Sequence, residues 1–272
     1  MIEGHLKKML STLSNPVEYV LPIGDERIGL NQYLGKTIAL TYEGEINCLN
    51  CGKRTKKSYS QGFCYYCMTK LAQCDLCIMK PETCHYHLGT CREPQWGEEF
   101  CFQDHFVYLA NSSGLKVGIT RHTQVPTRWI DQGATQALPI FKVRTRLQSG
   151  QVEMALKQHV SDKTDWRKML KGQADHKNLY EHRDRLIEAA ASELSNIQAA
   201  NKDGDIELIK DAKQVEINYP VVEYPQKVTS FNFDKTARVE GRLMGIKGQY
   251  LILDSGVLNI RKFTSYKVQF DA

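Results

Sequence analysis

"HFVYLANSSGLKVGITR", residues 105–121, decides how the rest of the chain is read. Val107 and Leu109 alternate with Tyr108 and Ala110, and Leu115, Val117 and Ile119 alternate again after the turn-forming run Asn111 to Gly114. A period of two on both sides of such a turn predicts a β-hairpin. A hairpin needs no tyrosine on its first strand, no Lys116-Val117-Gly118 on its second, and no arginine ten residues later at Arg128.

Working outward, "PTRWIDQGA" (126–134) reads as a short helix, with Pro126 suited to open it and Gly133 to close it. "PIFKVRTRL" (139–147) reads as a third strand and "SGQVEMALKQHV" (149–160) as a second helix. The apolar stripe of that helix is Val152, Leu156 and Val160 or His159, so Glu153 lies beside the core face. There it suits a ligand facing the sheet or a surface ion pair with Lys157, four residues on. Arg128 has a similar alternative partner in Asp131.

Tyr108, Lys116-Val117-Gly118, Arg128 and Glu153 together resemble the GIY-YIG superfamily of nucleases, in its short branch whose second motif reads Lys-Ile-Gly. The resemblance implies a three-stranded antiparallel sheet flanked by helices. It also implies catalytic roles. Glu153 would bind a single Mg²⁺ or Mn²⁺ that polarises the phosphate, and Tyr108 would orient or deprotonate the attacking water. Arg128 would clamp phosphate oxygens with its fork of donors, Lys116 would bind phosphate, and Gly118 would allow close backbone approach. Taken whole, with "GTCREPQWGEEFC" and "RWIDQGA", the chain also resembles an uncharacterised bacterial family known only as a domain of unknown function. That likeness implies no activity.

All nine cysteines fall between Cys48 and Cys101. Such clustering reads as metal binding rather than disulfides. Cys48-x2-Cys51-x12-Cys64-x2-Cys67 is a pair of knuckles whose four thiolates suit a structural zinc. An iron–sulfur cluster is the alternative occupant of four thiolates. A second set offers Cys74, Cys77, Cys84, His87, Cys91, Cys101 and His105, more ligands than one zinc needs. Cys74, Cys77, Cys84 and His87 make one grouping. Cys74 and Cys77 with Cys91, Cys101 or His105 make another, and spacing does not choose. His85 reads as a surface residue.

The 272 residues carry a net charge of +5, unevenly spread. Residues 106–175 have 11 Lys/Arg against 5 Asp/Glu, whereas residues 176–225 have 6 against 10. Residues 226–272 have 8 against 4. The basic segments are candidate nucleic-acid faces, for DNA or RNA, with a solvated surface as the plain alternative. Lys53, Arg54, Lys56 and Lys57, beside Tyr59 on the loop between the knuckles, are candidate phosphate contacts, as are Arg121, Arg144 and Arg146. Trp166 with Arg167, Lys168 and Lys171 is either a further aromatic-basic patch or ordinary core. No apolar run approaches the roughly 20 residues of a bilayer span. No signal peptide is evident, so a cytoplasmic protein without a membrane partner is expected.

These readings predict an α+β protein of five segments. A short amphipathic helix over 1–16 and then strands occupy 1–46, a zinc-binding cysteine-rich segment 47–105, and a GIY-YIG-like unit of sheet and helices 106–172. A helical extension occupies 173–225, with one helix over 176–200. A small all-β unit, 226–272, is open to completion by the strands at 34–46. The function expected is that of a zinc-containing nucleic-acid-binding protein, either a divalent-metal-dependent nuclease hydrolysing phosphodiester bonds or a non-catalytic nucleic-acid-binding or zinc-held interaction protein.

Overall fold

The computed structural model describes residues 1–160 and 164–272. Residues 1–46 are all strand and loop: β1 (Ile2–His5), β2 (Leu10–Thr12), β3 (Glu18–Ile23), β4 (Glu26–Gly29) and β5 (Thr37–Ile46). This corrects the helix expected over 1–16. Leu6 and Met9, which look like one helical face, are fully buried in the connection between β1 and β2. The hydrogen bonds of β1 go to a strand at the other end of the sequence, and no local pattern reports that. β2, β3 and β4 form a small antiparallel sheet, with Leu10 opposite Val20 and Leu21 opposite Ile28.

The cysteine-rich segment contains α1 (Tyr65–Lys70), several single 3-10 turns and α2 (Pro94–Cys101). Among the buried residues its apolar ones are few: Ala72 joins Cys48 and Cys67. A stretch with so little core needs cross-links or metal to hold one conformation.

The hairpin forms as read. β6 (His105–Asn111) and β7 (Leu115–Arg121) pair with Tyr108 opposite Gly118. Then follow α3 (Thr127–Asp131), β8 (Gln136–Val143), which pairs with the other edge of β6, and α4 (Arg146–Leu156). Thr145 and Gln148 close a capping box at the start of α4, satisfying two orphan donors reciprocally. Gly133 ends the α3 turn at φ +68°, where a glycine meets no Cβ penalty. Then come α5 (Trp166–Leu170), α6 (Leu179–Ala189), α7 (Ala191–Ala199), and two short strands, β9 (Ile206–Leu208) and β10 (Val215–Glu216), which extend the sheet beside β8. The single helix expected over 176–200 is broken at Ala190, whose backbone leaves the helical region. The break lets Leu186 and Leu194 both face the sheet.

The C-terminal segment supplies β11 (Arg238–Lys247), β12 (Tyr250–Leu253), β13 (Gly256–Asn259) and β14 (Tyr266–Asp271). With β1 and β5 they make one six-stranded sheet in the order β1-β14-β5-β11-β12-β13. β14 lies between β1 and β5, with Ile2 opposite Phe270 and Leu40 opposite the same residue from the other side.

Both faces of the hairpin are covered. Val107, Leu109 and Val117 pack with Val152, Leu156, Leu186 and Leu194 of the helices. Tyr108 and Ala110 point the other way, into a cluster with Trp129, Ile130, Leu6, Met9, Ile246 and Leu251. That second contact binds the hairpin sheet to the N- and C-terminal strands. Trp166, stacked on Tyr250 at 5.7 Å between ring centroids, adds a satellite cluster with Met169 and Ile252, so it packs rather than presenting a free aromatic face.

Candidate functional site

The four cysteines of the first pair of knuckles come together. The sulfurs of Cys48, Cys51, Cys64 and Cys67 all lie within 4.8 Å of one another. Cys48 lies two residues past the end of β5, and Cys64 and Cys67 sit at the start of α1, so the sheet and a helix N-terminus position the two halves. The Cys67 N–H donates to Cys64 Sγ at 3.5 Å and Asn50 Nδ2 to Cys67 Sγ at 3.4 Å. Burial raises the Cys48 thiol, but the backbone N–H groups of Cys51, Cys64 and Asn50 overcome it and bring it down to about 6. The Asn50 amide favours the Cys67 thiolate, but burial and the three neighbouring sulfurs push it up to about 12. Four sulfurs this close repel as anions, and a divalent cation removes that conflict. The cluster could hold a zinc ion, with no position left for water.

A second feature is a cleft of about 310 Å³. Its floor is β7, from Lys116 through Gly118 to Arg121, and its sides are Arg128, Asp131 and Gln132 of α3 and Arg146 and Glu153 of α4. Lys8, Arg261 and the turn Ile78–Pro81 complete the rim. Among the described residues, six cations (Lys8, Lys116, Arg121, Arg128, Arg146, Arg261) face two carboxylates, Asp131 and Glu153. Asp131 is engaged by Lys8 at 3.1 Å and Gln249 at 2.8 Å, with Arg261 at 4.0 Å. These partners occupy the carboxylate that local spacing would have paired with Arg128. Arg146 is fixed by the cysteine-rich segment, donating to the Ile78 carbonyl at 2.5 Å and the Cys77 carbonyl at 3.5 Å. Burial depresses the guanidinium pKa of both Arg146 and Arg121 below the ordinary value, in a range where each remains a cation at neutral pH. A cavity with this charge recognises anions.

Tyr108 lies beneath the cleft rather than in its lining. It is fully buried, packs edge-on to Trp129 at 5.9 Å, and donates its hydroxyl to Gln132 Oε1 at 3.0 Å. Burial raises its phenol above the ordinary value, a tendency that nearby Arg128 opposes and Glu153 reinforces. Gly118 makes room for this ring, since a Cβ there would sit 2.8 Å from Tyr108 Cζ and Oη. Gly118→Ala is therefore expected to destabilise by about 1–3 kcal/mol. Gly172→Ala, where a Cβ meets nothing within 4 Å, should change stability by less than about 0.5 kcal/mol. Urea unfolding midpoints of the two variants check this.

The remaining candidates are dispersed. Lys53, Arg54, Lys56 and Lys57 are exposed on the knuckle loop, away from the cleft, with Lys57 Nζ 5.4 Å from the Tyr59 ring centre. Arg144 is exposed and pairs with Asp104 at 3.2 Å. In the second cysteine set, Cys77, Cys84, Cys91 and Cys101 line one small cavity. Cys74 faces the first cluster instead. Burial pushes its thiol up, the Ser60 hydroxyl draws it down, and Cys48 is near enough to act on it. His87 is exposed. His105 is buried with Nδ1 2.6 Å from the Gln103 carbonyl, and burial pushes its imidazole down to about 4, so the ring is neutral and Nδ1 carries the donor. Lys8, Gln132 and Arg261 were not legible as cleft residues. Lys8 and Arg261 lie in connections more than 240 residues apart, and only the packing of terminal strands on the hairpin sheet brings them in.

Among the described residues no helix is long and apolar enough to cross a membrane. No curated protein and no solved structure matches the chain. A family model does match, over residues 35–268, and that span takes in the knuckles, the hairpin, the cleft helices and most of the C-terminal strands. The chain therefore belongs to the family described as "Protein of unknown function (DUF2797)".

Proposed function

We propose that the basic cleft binds the phosphodiester backbone of nucleic acid and, with a divalent cation, hydrolyses it in the manner of a GIY-YIG nuclease. The observation that carries this reading is convergence. Lys116, Gly118, Arg128 and Glu153, picked out by motif order over 38 residues, line one cleft in which, among the described residues, cations outnumber carboxylates six to two. Glu153 is a half-buried oxygen donor among the cations of the cleft. That fits Mg²⁺ or Mn²⁺, which characteristically take one or two carboxylates plus substrate oxygens. When bound, such a cation supplies charge neutralisation to the phosphate and the leaving oxygen.

The protein's own residues do the rest. Arg128 and Lys116 hold non-bridging phosphate oxygens, and Arg121 and Arg146 grip neighbouring phosphates. Tyr108 acts from below as a positioning residue, because its buried phenol keeps its proton and its hydroxyl fixes Gln132. The Cys48, Cys51, Cys64 and Cys67 cluster serves as a structural zinc site that fixes the basic knuckle loop. The burial of Tyr108 favours the second reading, binding without cleavage, because a tyrosine under the floor cannot itself take a proton from water.

The test compares wild type with Glu153→Ala, both zinc-loaded, on DNA and RNA with Mg²⁺ or Mn²⁺. Cleavage by the wild type, reduced at least about 100-fold in the variant, is the expected result. Salt-sensitive binding with no cleavage by either protein would replace the nuclease reading by the binding one. Weak binding that does not respond to salt would remove both.

A further inference from the structure

Ten residues after the first cluster ends, the chain makes another set of sulfurs. Cys77, Cys84, Cys91 and Cys101 come from four separate pieces: a 3-10 turn, the exit of a second turn, a loop, and the last residue of α2. All four line one cavity of about 20 Å³. The cavity is close to the volume of a single water, and its lining is almost wholly apolar, so it is too small for an organic ligand and poorly suited to water. Each thiol is half-buried. Asp75, His85 and Gly97 line the same cavity. Gly97 of α2 lies against the Cys91 sulfur, where a Cβ would be 3.5 Å away. Asp75 holds Arg92 at 2.8 Å and lies 3.5 Å from His85 Nε2, while His85 Nδ1 is 2.8 Å from the Thr90 hydroxyl.

We propose that Cys77, Cys84, Cys91 and Cys101 bind a second zinc ion, distinct from the one suited to the first cluster. These four sulfurs are not drawn together as tightly as those of the first cluster: among the described residues, the ligand atoms here that lie within 4.8 Å of one another are those of Asp75, Cys77 and His85. The existing partners of Asp75 and His85 argue against these two as ligands. Asp75 is already paired with Arg92, and both His85 nitrogens have contacts, so these two are engaged by their present partners. Zinc takes four soft thiolates readily. The four thiols stand on pieces of chain that share almost no apolar core, so the ion would be their principal connection. This inference is independent of whether the cleft cleaves nucleic acid.

The site has one mechanical link to the cleft. The carbonyls of Cys77 and Ile78 hold Arg146, and the following turn packs on α4, where a Cβ on Gly150 would sit 2.5 Å from Glu82 N. The second ion would thereby fix one wall of the cleft.

Metal content of the purified full-length protein tests the assignment. Two zinc ions per chain are expected in the wild type, one in Cys51→Ser, one in the double variant Cys77→Ser/Cys91→Ser, and two in both His85→Ala and His105→Ala. A cobalt titration of the wild type, which depends on no variant folding, should show two equivalents that each develop thiolate-to-metal charge-transfer absorption. One zinc per chain in the wild type would overturn the proposal. So would two zinc ions retained in Cys77→Ser/Cys91→Ser, loss of one ion in either histidine variant, or iron in place of zinc.

Discussion

Cys51→Ser, or exhaustive treatment with a zinc chelator, is expected to release the first knuckle pair from the body of the protein while leaving the sheets folded. The size of the effect follows from what holds residues 48–67 in place. Apart from Cys48 and Cys67 themselves, the segment contributes no side chain to the buried apolar set. Its ties to the rest are a few polar contacts, such as Ser58 Oγ to the Thr264 carbonyl at 3.2 Å and Arg261 to Gln61 at 2.5 Å. Structural zinc in small modules supplies about 10–16 kcal/mol of apparent free energy, far more than those contacts. Amide hydrogen exchange should show protection lost across 48–67 and kept in the strands at 105–111 and 238–247. Retention of protection after complete metal removal would mean that the loop folds by its own contacts.

The second large effect is expected at Arg128. Arg128→Ala should weaken nucleic-acid binding, reduce the slope of log affinity against log salt by about one ion, and slow any cleavage by roughly 100-fold. Arg128→Lys should restore the salt slope but little of the rate, because a point charge replaces a planar fork. Arg144→Ala is the control, since Arg144 is exposed and already paired with Asp104 outside the cleft. Measured across salt concentrations, equal losses in Arg128→Ala and Arg144→Ala would mean a diffuse basic surface rather than a cleft.

The hairpin and the first cysteine cluster were legible because both signals are local. An alternation of period two and a pair of Cys-x2-Cys knuckles each need only a few residues to state themselves. The same holds for the strands at 238–271 and for Thr37–Ile46, whose alternating Ile38 and Leu40 are buried. What failed was non-local. Leu6 and Met9 imitate a helical face, yet their partners include Tyr19, Leu251 and Ile260 in one shared cluster. Which faces of the hairpin are covered is equally non-local: helices cover one side and terminal strands the other, so Tyr108 is sealed in. Local reading paired Arg128 with Asp131, whereas Lys8, Arg261 and Gln249, from the two ends of the sequence, take that carboxylate.

The place of β14 also sets an order of events during synthesis. The strand at 266–271 lies between the strands at 2–5 and 37–46, so neither of those earlier strands can find this partner until some 220 further residues have been made. On the ribosome the hairpin and its helices can close early, since their pairings span only a few dozen residues. The first strand must wait, with unpaired backbone, for a strand made long after it. The six-stranded sheet is thus a late clasp, and a nascent chain stalled before residue 266 would present two open strand edges, the surfaces on which chaperones act and aggregates grow.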